Sequence, residues 1–240
     1  MNLVIDIGNS SVKFGVFKNE EKILVSKVEK LAYPLLSEII EKNNVKRIIY
    51  SSVQSGQSEF HTLLLKTGLY LHQLSYKSKL PFKICYQTPE TLGQDRIAGM
   101  AFAYNNFKDQ NVLLIDAGTA VTYDVLTQEG LHEGGNISPG LKMRFKALHE
   151  FTGNLPLVSP QHNNKIVGDN TIEAIRAGVQ QGLIFEINEY IRNFENRYKN
   201  LNIIVTGGDG KFLTERIKQT VTFVPDLIIE GLNYILNYNA

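Results

Sequence analysis

Cysteine is nearly absent from this sequence, since Cys85 is the only one among 240 residues. A single thiol excludes an internal disulfide framework, and such a chain fits a reducing compartment. Apolar runs stay well below the roughly 18 residues that a membrane-spanning helix needs, so no span is expected. The first residues have no basic segment ahead of an apolar stretch, so no secretory signal is expected either. We therefore expect a soluble cytoplasmic protein.

An excess of one charge is also lacking. The chain has 25 Lys and Arg against 24 Asp and Glu, a net charge of +1, and no run of five like charges. Proteins that bind nucleic acid through bulk charge carry a basic excess, so that class is not expected. The five histidines include no pair at helical His-x3-His spacing, and with one cysteine a zinc site is not expected.

Three common nucleotide-binding motifs are missing as well. The sequence contains no P-loop, no Gly-x-Gly-x-x-Gly fingerprint and no His-Arg-Asp set of the protein kinases. The nearest match to a P-loop, Gly208-Asp209-Gly210-Lys211, lacks the upstream glycine. A nucleotide site in this chain must therefore be built from other turns.

One pattern occurs twice: an apolar run leads into Asp-x-Gly and small polar residues, and a second strand-like run follows. The copies span 3–11 and 113–120, and their aspartates, Asp6 and Asp116, lie 110 residues apart. Each copy predicts a hairpin whose glycine lets backbone approach a ligand, whose amides can bind an anion and whose carboxylate can hold a cation. One copy alone is weak evidence, because many turns contain Asp-x-Gly. Two copies in matching context predict two related lobes that present phosphate-binding hairpins to a shared cleft.

The hydrophobic pattern predicts an α/β protein with a first lobe over 1–108 and a second over 109–240. After the first hairpin, the first lobe is predicted to have strands over 22–27, 47–53 and 69–74 and helices over 31–41, 60–65 and 97–107. After the second hairpin, the second lobe is predicted to have a strand over 202–205 and helices over 141–151, 172–199, 212–218 and 227–238. Glycine and proline in 133–140 predict a constrained loop, and 154–165 is expected to be irregular.

The long helix over 172–199 carries two further signals. Asp169 or Asn170 is predicted to cap its first turn. Gly178 and Gly182 lie four residues apart on one face, which permits close packing. That face packs either inside its own lobe or against another subunit, and the sequence leaves both open.

Two motifs are open to a structural and a functional interpretation. Asp95, at the start of the helix over 97–107, is either a helix cap or a general base with Arg96 beside it as an anion contact. The turn Thr206-Gly207-Gly208 between a strand and a helix either presents amides to a ligand or simply connects the two elements.

Taken together, the motifs resemble those of type III pantothenate kinases in the actin–hexokinase–acetate kinase superfamily. They run in that family's order across almost the whole chain: Asp6-Ile7-Gly8-Asn9-Ser10, Gly93-Gln94-Asp95-Arg96, Asp116-Ala117-Gly118-Thr119-Ala120, Gly134-Gly135-x-Ile137-x-Pro139-Gly140, Asn170-Thr171 and Thr206-Gly207-Gly208. The resemblance implies two lobes of actin/RNase H-like fold with an ATP cleft between them. It also implies ATP-dependent phosphorylation of pantothenate to 4'-phosphopantothenate, the first step of coenzyme A biosynthesis.

The resemblance assigns roles to individual residues. It implies Asp95 as the catalytic proton acceptor, Asp116 as the ligand of a monovalent cation (K⁺ or NH₄⁺), and Asp6 as a residue that helps to place Mg²⁺. The residues implied in ATP binding are Asp6, Gly8, Asn9, Ser10, Ser11, Lys13, Gly118, Thr119, Thr206, Gly207 and Gly208. The residues implied in pantothenate binding are Tyr86, Gly93, Asp95, Arg96 and Thr171, near the interface of a homodimer.

This chain departs from the family pattern at a few positions. The family usually has alanine in place of Gln94, threonine in place of Val121, and a hydrophobic residue and alanine in place of Asp209 and Gly210. No departure removes a carboxylate, so they bear on affinity more than on chemistry. Three alternatives stay open: a kinase of another small alcohol, a non-catalytic metabolite-sensing regulator, and a phosphatase of the same fold.

Overall fold

The computed structural model describes residues 1–8, 11–52, 59–162 and 165–239. It divides the chain into two compact units. The first consists of Met1–Lys108, Gly130–Glu133 and Asp226–Ala240, and the second consists of Asp109–Glu129 and Gly134–Pro225.

The described part of the chain contains eleven strands and seven α-helices. Up to residue 108 they are β1 (Asn2–Ile7), β2 (Val12–Lys18), β3 (Glu21–Val28), α1 (Tyr33–Lys42), β4 (Arg47–Ser52), α2 (Glu59–Leu65), β5 (Tyr70–Gln73), β6 (Lys83–Ile84) and α3 (Gln94–Asn106), with a 3₁₀ turn at Pro89–Thr91 before α3. They continue with β7 (Val112–Ala117), β8 (Ala120–Leu126), β9 (Leu131–Pro139), α4 (Leu141–Glu150), α5 (Thr171–Arg197), β10 (Asn202–Thr206), α6 (Gly210–Thr214), β11 (Thr222–Phe223) and α7 (Leu227–Asn239).

The first unit is built on a five-stranded sheet in the order β3-β2-β1-β4-β5. Strand β1 is antiparallel to β2 and parallel to β4. Its residues Leu3, Val4 and Ile5 are fully buried, as expected of a central strand that is covered on both faces. The predicted first hairpin is therefore confirmed, and it lies at the centre of this sheet.

The last helix, α7, belongs to the first unit, although its sequence position places it in the predicted second lobe, 109–240. Its residues Leu232, Ile235 and Leu236 are fully buried. Asn233 on the same helix accepts a 2.8 Å hydrogen bond from the Asn2 side chain at the start of β1. Burial of the apolar face of α7 against β1 and α3 returns the end of the chain to the unit in which it begins.

The second unit repeats the central arrangement of the first. Strand β7 is antiparallel to β8 and parallel to β10, just as β1 is antiparallel to β2 and parallel to β4. These strands belong to a six-stranded sheet in the order β11-β10-β7-β8-β9-β6. Helix α5 buries Leu183, Ile187 and Ile191 in the same core as Leu113, Ile115 and Val205. The mixed α/β fold with two sheets and a repeated hairpin is as predicted.

Several predicted boundaries change in the structure. The segment 133–140 is not a loop, because β9 continues to Pro139. A Cβ at Gly135 would overlap the Tyr123 carbonyl oxygen, so this glycine allows β9 to lie against its neighbour rather than to turn. Helix α6 is shorter than predicted and ends at Thr214. Helix α5 is capped by Asn170, whose side chain accepts a 3.1 Å hydrogen bond from the Glu173 amide.

No helix in the described ranges is long and apolar enough to cross a lipid bilayer.

Candidate functional site

Asp6 lies near the end of β1, next to Ser51 of the parallel strand β4. Ser51 Oγ donates a 2.7 Å hydrogen bond to Asp6 Oδ1. Burial raises the pKa of Asp6 to about 6; the Ser51 hydrogen bond opposes this shift, and the negative charge of Asp95 adds to it. Asp6 and Asp95 are thus near enough for their charges to interact.

The first hairpin turn is closed by a 3.0 Å hydrogen bond from the Gly8 amide to the Ser11 carbonyl. Asn9 and Ser10, which the resemblance assigns to ATP binding, lie outside the described residues. Lys13 on β2 is the register partner of Asp6, so both side chains lie on one face of the sheet. Its Nζ lies 2.9 Å from Oδ1 of Asp226. The turn, the lysine and the carboxylate are therefore grouped at one end of the β1–β2 hairpin.

Asp95 lies in the first turn of α3, which begins three residues earlier than predicted. The cap residue of this helix is Gly93, so Asp95 is not its N-cap. Asp95 Oδ1 accepts a 2.8 Å hydrogen bond from the Arg96 amide. A Cβ at Gly93 would overlap that same oxygen, so the carboxylate takes its position because residue 93 has no side chain.

Two contacts extend the site around the start of α3. Gln94 Oε1 accepts a 2.9 Å hydrogen bond from the Ser52 amide at the end of β4. Arg96 is only 6% exposed, and its guanidinium carbon lies 5.4 Å from the ring centroid of Tyr86, a cation–π arrangement. The structure therefore brings together Tyr86, Gly93, Asp95 and Arg96, the four predicted residues of the acceptor group in the first unit.

In the second unit, glycine-containing turns meet at the end of β7. The Gly118 amide donates a 2.9 Å hydrogen bond to the Ala120 carbonyl, which closes the second predicted hairpin. The Gly140 amide donates to the Thr119 carbonyl at 3.1 Å. Gly207 has a φ of +91°, and a Cβ there would overlap the Ala117 carbonyl and Oδ1 of Asp116. Since no other residue fits this position, the turn after β10 packs closely against the end of β7.

The connection from β10 to α6 contains Thr206, Gly207 and Gly208. It lies at the end of β7, where the Asp209 amide donates a 2.9 Å hydrogen bond to the Ala117 carbonyl. Thr171 lies elsewhere in the fold, as the exposed first residue of α5 directly after its cap.

The donor set fits a nucleotide-bound metal better than a resident one. Among the described residues, no cluster of three or more His, Cys, Asp or Glu side chains could hold a metal ion. Mg²⁺ in kinases usually takes one or two carboxylates and completes its shell with water and substrate phosphates. Asp6 supplies one such carboxylate.

Three neighbouring residues were not predicted from the sequence. Ser51 would follow from the Asp6 position only if the pairing of β1 with β4 were known. In the sequence, Gln94 stands out only as a departure from the family pattern, which gives it no role. Asp226 carried no sequence signal, because it meets Lys13 across 213 residues of chain.

Comparison with known proteins identifies the family. A family model for type III pantothenate kinase matches residues 2–193, more than half of the chain. A curated Type III pantothenate kinase from Christiangramia forsetii is 42% identical over 241 residues, covering 100% of this chain and 99% of the relative. One from Bacteroides fragilis is 38% identical over 239 residues, covering 100% and 98%.

Solved structures agree at the level of the fold. A Campylobacter jejuni structure named for the Baf family of transcriptional activators has a TM-score of 0.61 at 25% identity, covering 99% of this chain and 98% of that one. An inorganic polyphosphate/ATP-glucomannokinase from Arthrobacter has a TM-score of 0.53 at 12% identity with the same coverage, which shows a shared fold. Together with the full-length curated relatives, the matched family model shows that this chain belongs to the type III pantothenate kinase family.

Proposed function

We propose that this kinase transfers the γ-phosphate of ATP to pantothenate, giving 4'-phosphopantothenate in the first step of coenzyme A biosynthesis. The observation that carries the proposal is the grouping of Asp6, Asp95, Arg96 and Tyr86 in the first unit of a chain from this family. The named function of the curated relatives supports the same reaction.

The acceptor residues suit the chemistry of pantothenate, which has a primary hydroxyl and a carboxylate. Asp95 is proposed to accept the hydroxyl proton as the oxygen attacks the γ-phosphorus. Its carboxylate is already fixed by the Arg96 amide and by the space at Gly93. Arg96, Gly93 and Tyr86 are proposed to contact the substrate, and the buried guanidinium suits an anion. Thr171 is proposed as a further contact.

The two hairpins are proposed to hold ATP. Phosphoryl transfer has a loose transition state, so the protein contributes mainly positioning and charge stabilisation. In the first unit, Gly8, Ser11 and Lys13, together with Asn9 and Ser10, are proposed to bind phosphates. In the second unit, the corresponding group is Gly118, Thr119, Thr206, Gly207 and Gly208. Mg²⁺ bound with the nucleotide would neutralise phosphate charge, with Asp6 as its protein carboxylate.

A monovalent cation, K⁺ or NH₄⁺, is proposed to bind at Asp116. This carboxylate lies at the end of β7, beside Gly207 and Gly118. Because neither glycine has a side chain, backbone groups lie close to the carboxylate. Asp116 is the counterpart of Asp6 in the repeated hairpin, so each unit presents one carboxylate at its phosphate-binding turn.

A homodimer is proposed as the working state, with the cytoplasm as its compartment. The second unit exposes large apolar side chains that a partner copy would cover. The most exposed are Phe151 at 85%, Val167 at 81%, Ile166 at 71%, Ile137 at 65% and Leu157 at 62%. Sedimentation of the purified protein at micromolar concentration measures the state directly, and a monomer would contradict it.

ADP release by the pure protein with ATP, Mg²⁺ and K⁺ tests the reaction. The acceptors to compare are pantothenate, glycerol, glucose and none. We expect release to depend strongly on pantothenate alone. Release with glycerol or glucose would favour another alcohol kinase, release without acceptor would favour a phosphatase, and ATP binding without release would favour a regulator.

A further inference from the structure

The last two residues of β4 contact two parts of the proposed reaction centre, namely Asp6 and the residue before Asp95. Ser51 Oγ donates a 2.7 Å hydrogen bond to Asp6 Oδ1. The next residue, Ser52, donates its amide to Gln94 Oε1 at 2.9 Å. Gln94 directly precedes Asp95 in the first turn of α3. A continuous path therefore runs from Asp6 through the end of β4 to the residue before Asp95.

The Ser52 amide lies at a place where the sheet no longer continues on one side. The register between β4 and β5 runs from Arg47 to Tyr50 and stops there. Ser52 lies beyond this ladder, and its amide meets the side chain of the first residue of a helix. The helix start is thereby attached to the strand through the Gln94 side chain.

We propose that Gln94 is a positioning residue for phosphoryl transfer: its side-chain oxygen attaches the start of α3 to the end of β4 and thereby holds the Asp95 carboxylate relative to Asp6. This inference rests on the proposed function of Asp95. It assigns a role to a side chain that differs from the alanine usual in this family.

Two local features position the Asp95 carboxylate within the start of α3. The Arg96 amide and the open space at Gly93 fix the carboxylate relative to α3. They do not fix α3 relative to the sheet that carries Asp6. A misplacement of about 1 Å can cost on the order of 100-fold in rate, so the attachment of the helix start has a direct effect on turnover.

Two substitutions at Gln94 distinguish the effect of its acceptor oxygen from the effect of its side-chain packing. Gln94→Met keeps the length of the side chain and removes the acceptor, whereas Gln94→Glu keeps an acceptor oxygen. Gln180→Met is the matched control, because Gln180 Oε1 accepts a 2.8 Å hydrogen bond from the Gln161 amide in the second unit. It loses the same kind of bond from a residue outside the proposed site.

We expect Gln94→Met to lower kcat for pantothenate phosphorylation by about 10- to 100-fold, with the KM for ATP unchanged within about two-fold. Gln94→Glu is expected to recover at least about five-fold of that loss, and Gln180→Met to keep wild-type kcat. A Gln94→Met enzyme within about two-fold of wild type, or a Gln94→Glu enzyme no better than Gln94→Met, would overturn the inference.

Hydrogen exchange at the Ser52 amide gives a readout that does not depend on turnover. We expect faster exchange in Gln94→Met and near-wild-type exchange in Gln94→Glu. Unchanged exchange in Gln94→Met would refute the attachment even if the wild-type protein had no kinase activity. Absence of pantothenate-dependent turnover in the wild type, with the exchange result as expected, would contradict the proposed function instead.

Discussion

Lys13 and Asp226 form an ion pair, with Nζ 2.9 Å from Oδ1, that joins the β1–β2 hairpin to the start of α7. Asp226 also accepts a 2.7 Å hydrogen bond from Lys22. Burial favours a higher pKa for Asp226, but the hydrogen bonds from Lys22 and Lys13 outweigh it, so its pKa lies below the usual value. Asp226 is therefore ionised at neutral pH and holds the Lys13 ammonium in place.

Lys13→Met should weaken ATP binding, because the ammonium is the proposed phosphate contact of the first hairpin. Loss of one charge-assisted hydrogen bond, about 1.5–3 kcal/mol, predicts a rise of roughly 10- to 100-fold in the KM for ATP. Asp226→Asn should raise it less, since the lysine keeps its charge. Lys18→Met, at an exposed lysine of the same strand, is the control. An unchanged KM in Lys13→Met would exclude the phosphate role.

Asp95→Asn should nearly abolish turnover and leave ATP binding intact. A general base contributes on the order of 10²–10⁴-fold, so kcat should fall by that factor while the ATP dissociation constant, measured by calorimetry, stays the same. Glu90→Gln in the preceding 3₁₀ turn is a matched control with an exposed carboxylate. Unimpaired kcat in Asp95→Asn would rule out this residue as the base.

Gly93→Ala should act through Asp95. The new Cβ would overlap Asp95 Oδ1, so the carboxylate must move, whereas the helix start itself has an ordinary φ of −56°. We expect a drop of at least about ten-fold in kcat with little change in melting temperature. Gly153→Ala is the control, because a Cβ there meets nothing within 4 Å. Equal kcat values for the two variants would contradict this account.

Asp6→Asn should stabilise the free protein at pH 8. Burial raises the pKa of Asp6 from 3.8 to about 6, so the folded state binds this proton more tightly than the unfolded chain. Between those pH values, rising pH therefore removes stability. At about 1.36 kcal/mol per pH unit, the cost at pH 8 is roughly 3 kcal/mol, and it is well under 1 kcal/mol near pH 4.

Urea unfolding of both proteins from pH 4 to pH 8 measures this difference. The asparagine oxygen can still accept the Ser51 hydrogen bond, so the comparison isolates the charge. A stability difference that does not change with pH would show that the buried charge is not its source.

Potassium should activate the enzyme through Asp116. We expect a rate in K⁺ well above that in Na⁺ for the wild type, and similar low rates in both salts for Asp116→Asn. Initial rates at constant ionic strength measure this. Equal wild-type rates in potassium and sodium would exclude the cation role of Asp116.

The local parts of this fold could be predicted from the sequence. Asp6 and Asp116 end apolar strands and precede glycine, and that pattern alone indicates both hairpins. Asp95 and Arg96 precede an apolar segment, which places them at a helix start. In each case the residues of the sequence pattern and the residues of the structural element that it predicts lie within about ten positions of one another.

The remaining features depend on contacts between distant segments. Helix α7 joins the first unit through burial against β1 and α3, which its own apolar pattern does not specify. Strands β6 and β11 have two residues each, too few for a periodic signal. Gly135 was predicted to lie in a turn. Glycine is required there because the backbone of Tyr123, on another strand, approaches closely, and the local sequence does not show that contact. The same holds for Ser52 with Gln94.

The most direct test is to follow the γ-phosphate itself. The pure protein is incubated with γ-¹⁸O-labelled ATP, Mg²⁺, K⁺ and pantothenate, and the products are resolved by mass spectrometry, with Asp95→Asn in parallel. We predict labelled 4'-phosphopantothenate in amounts equal to the ADP formed, and almost none from the variant. ADP accompanied by labelled inorganic phosphate, with pantothenate unmodified, would contradict the account.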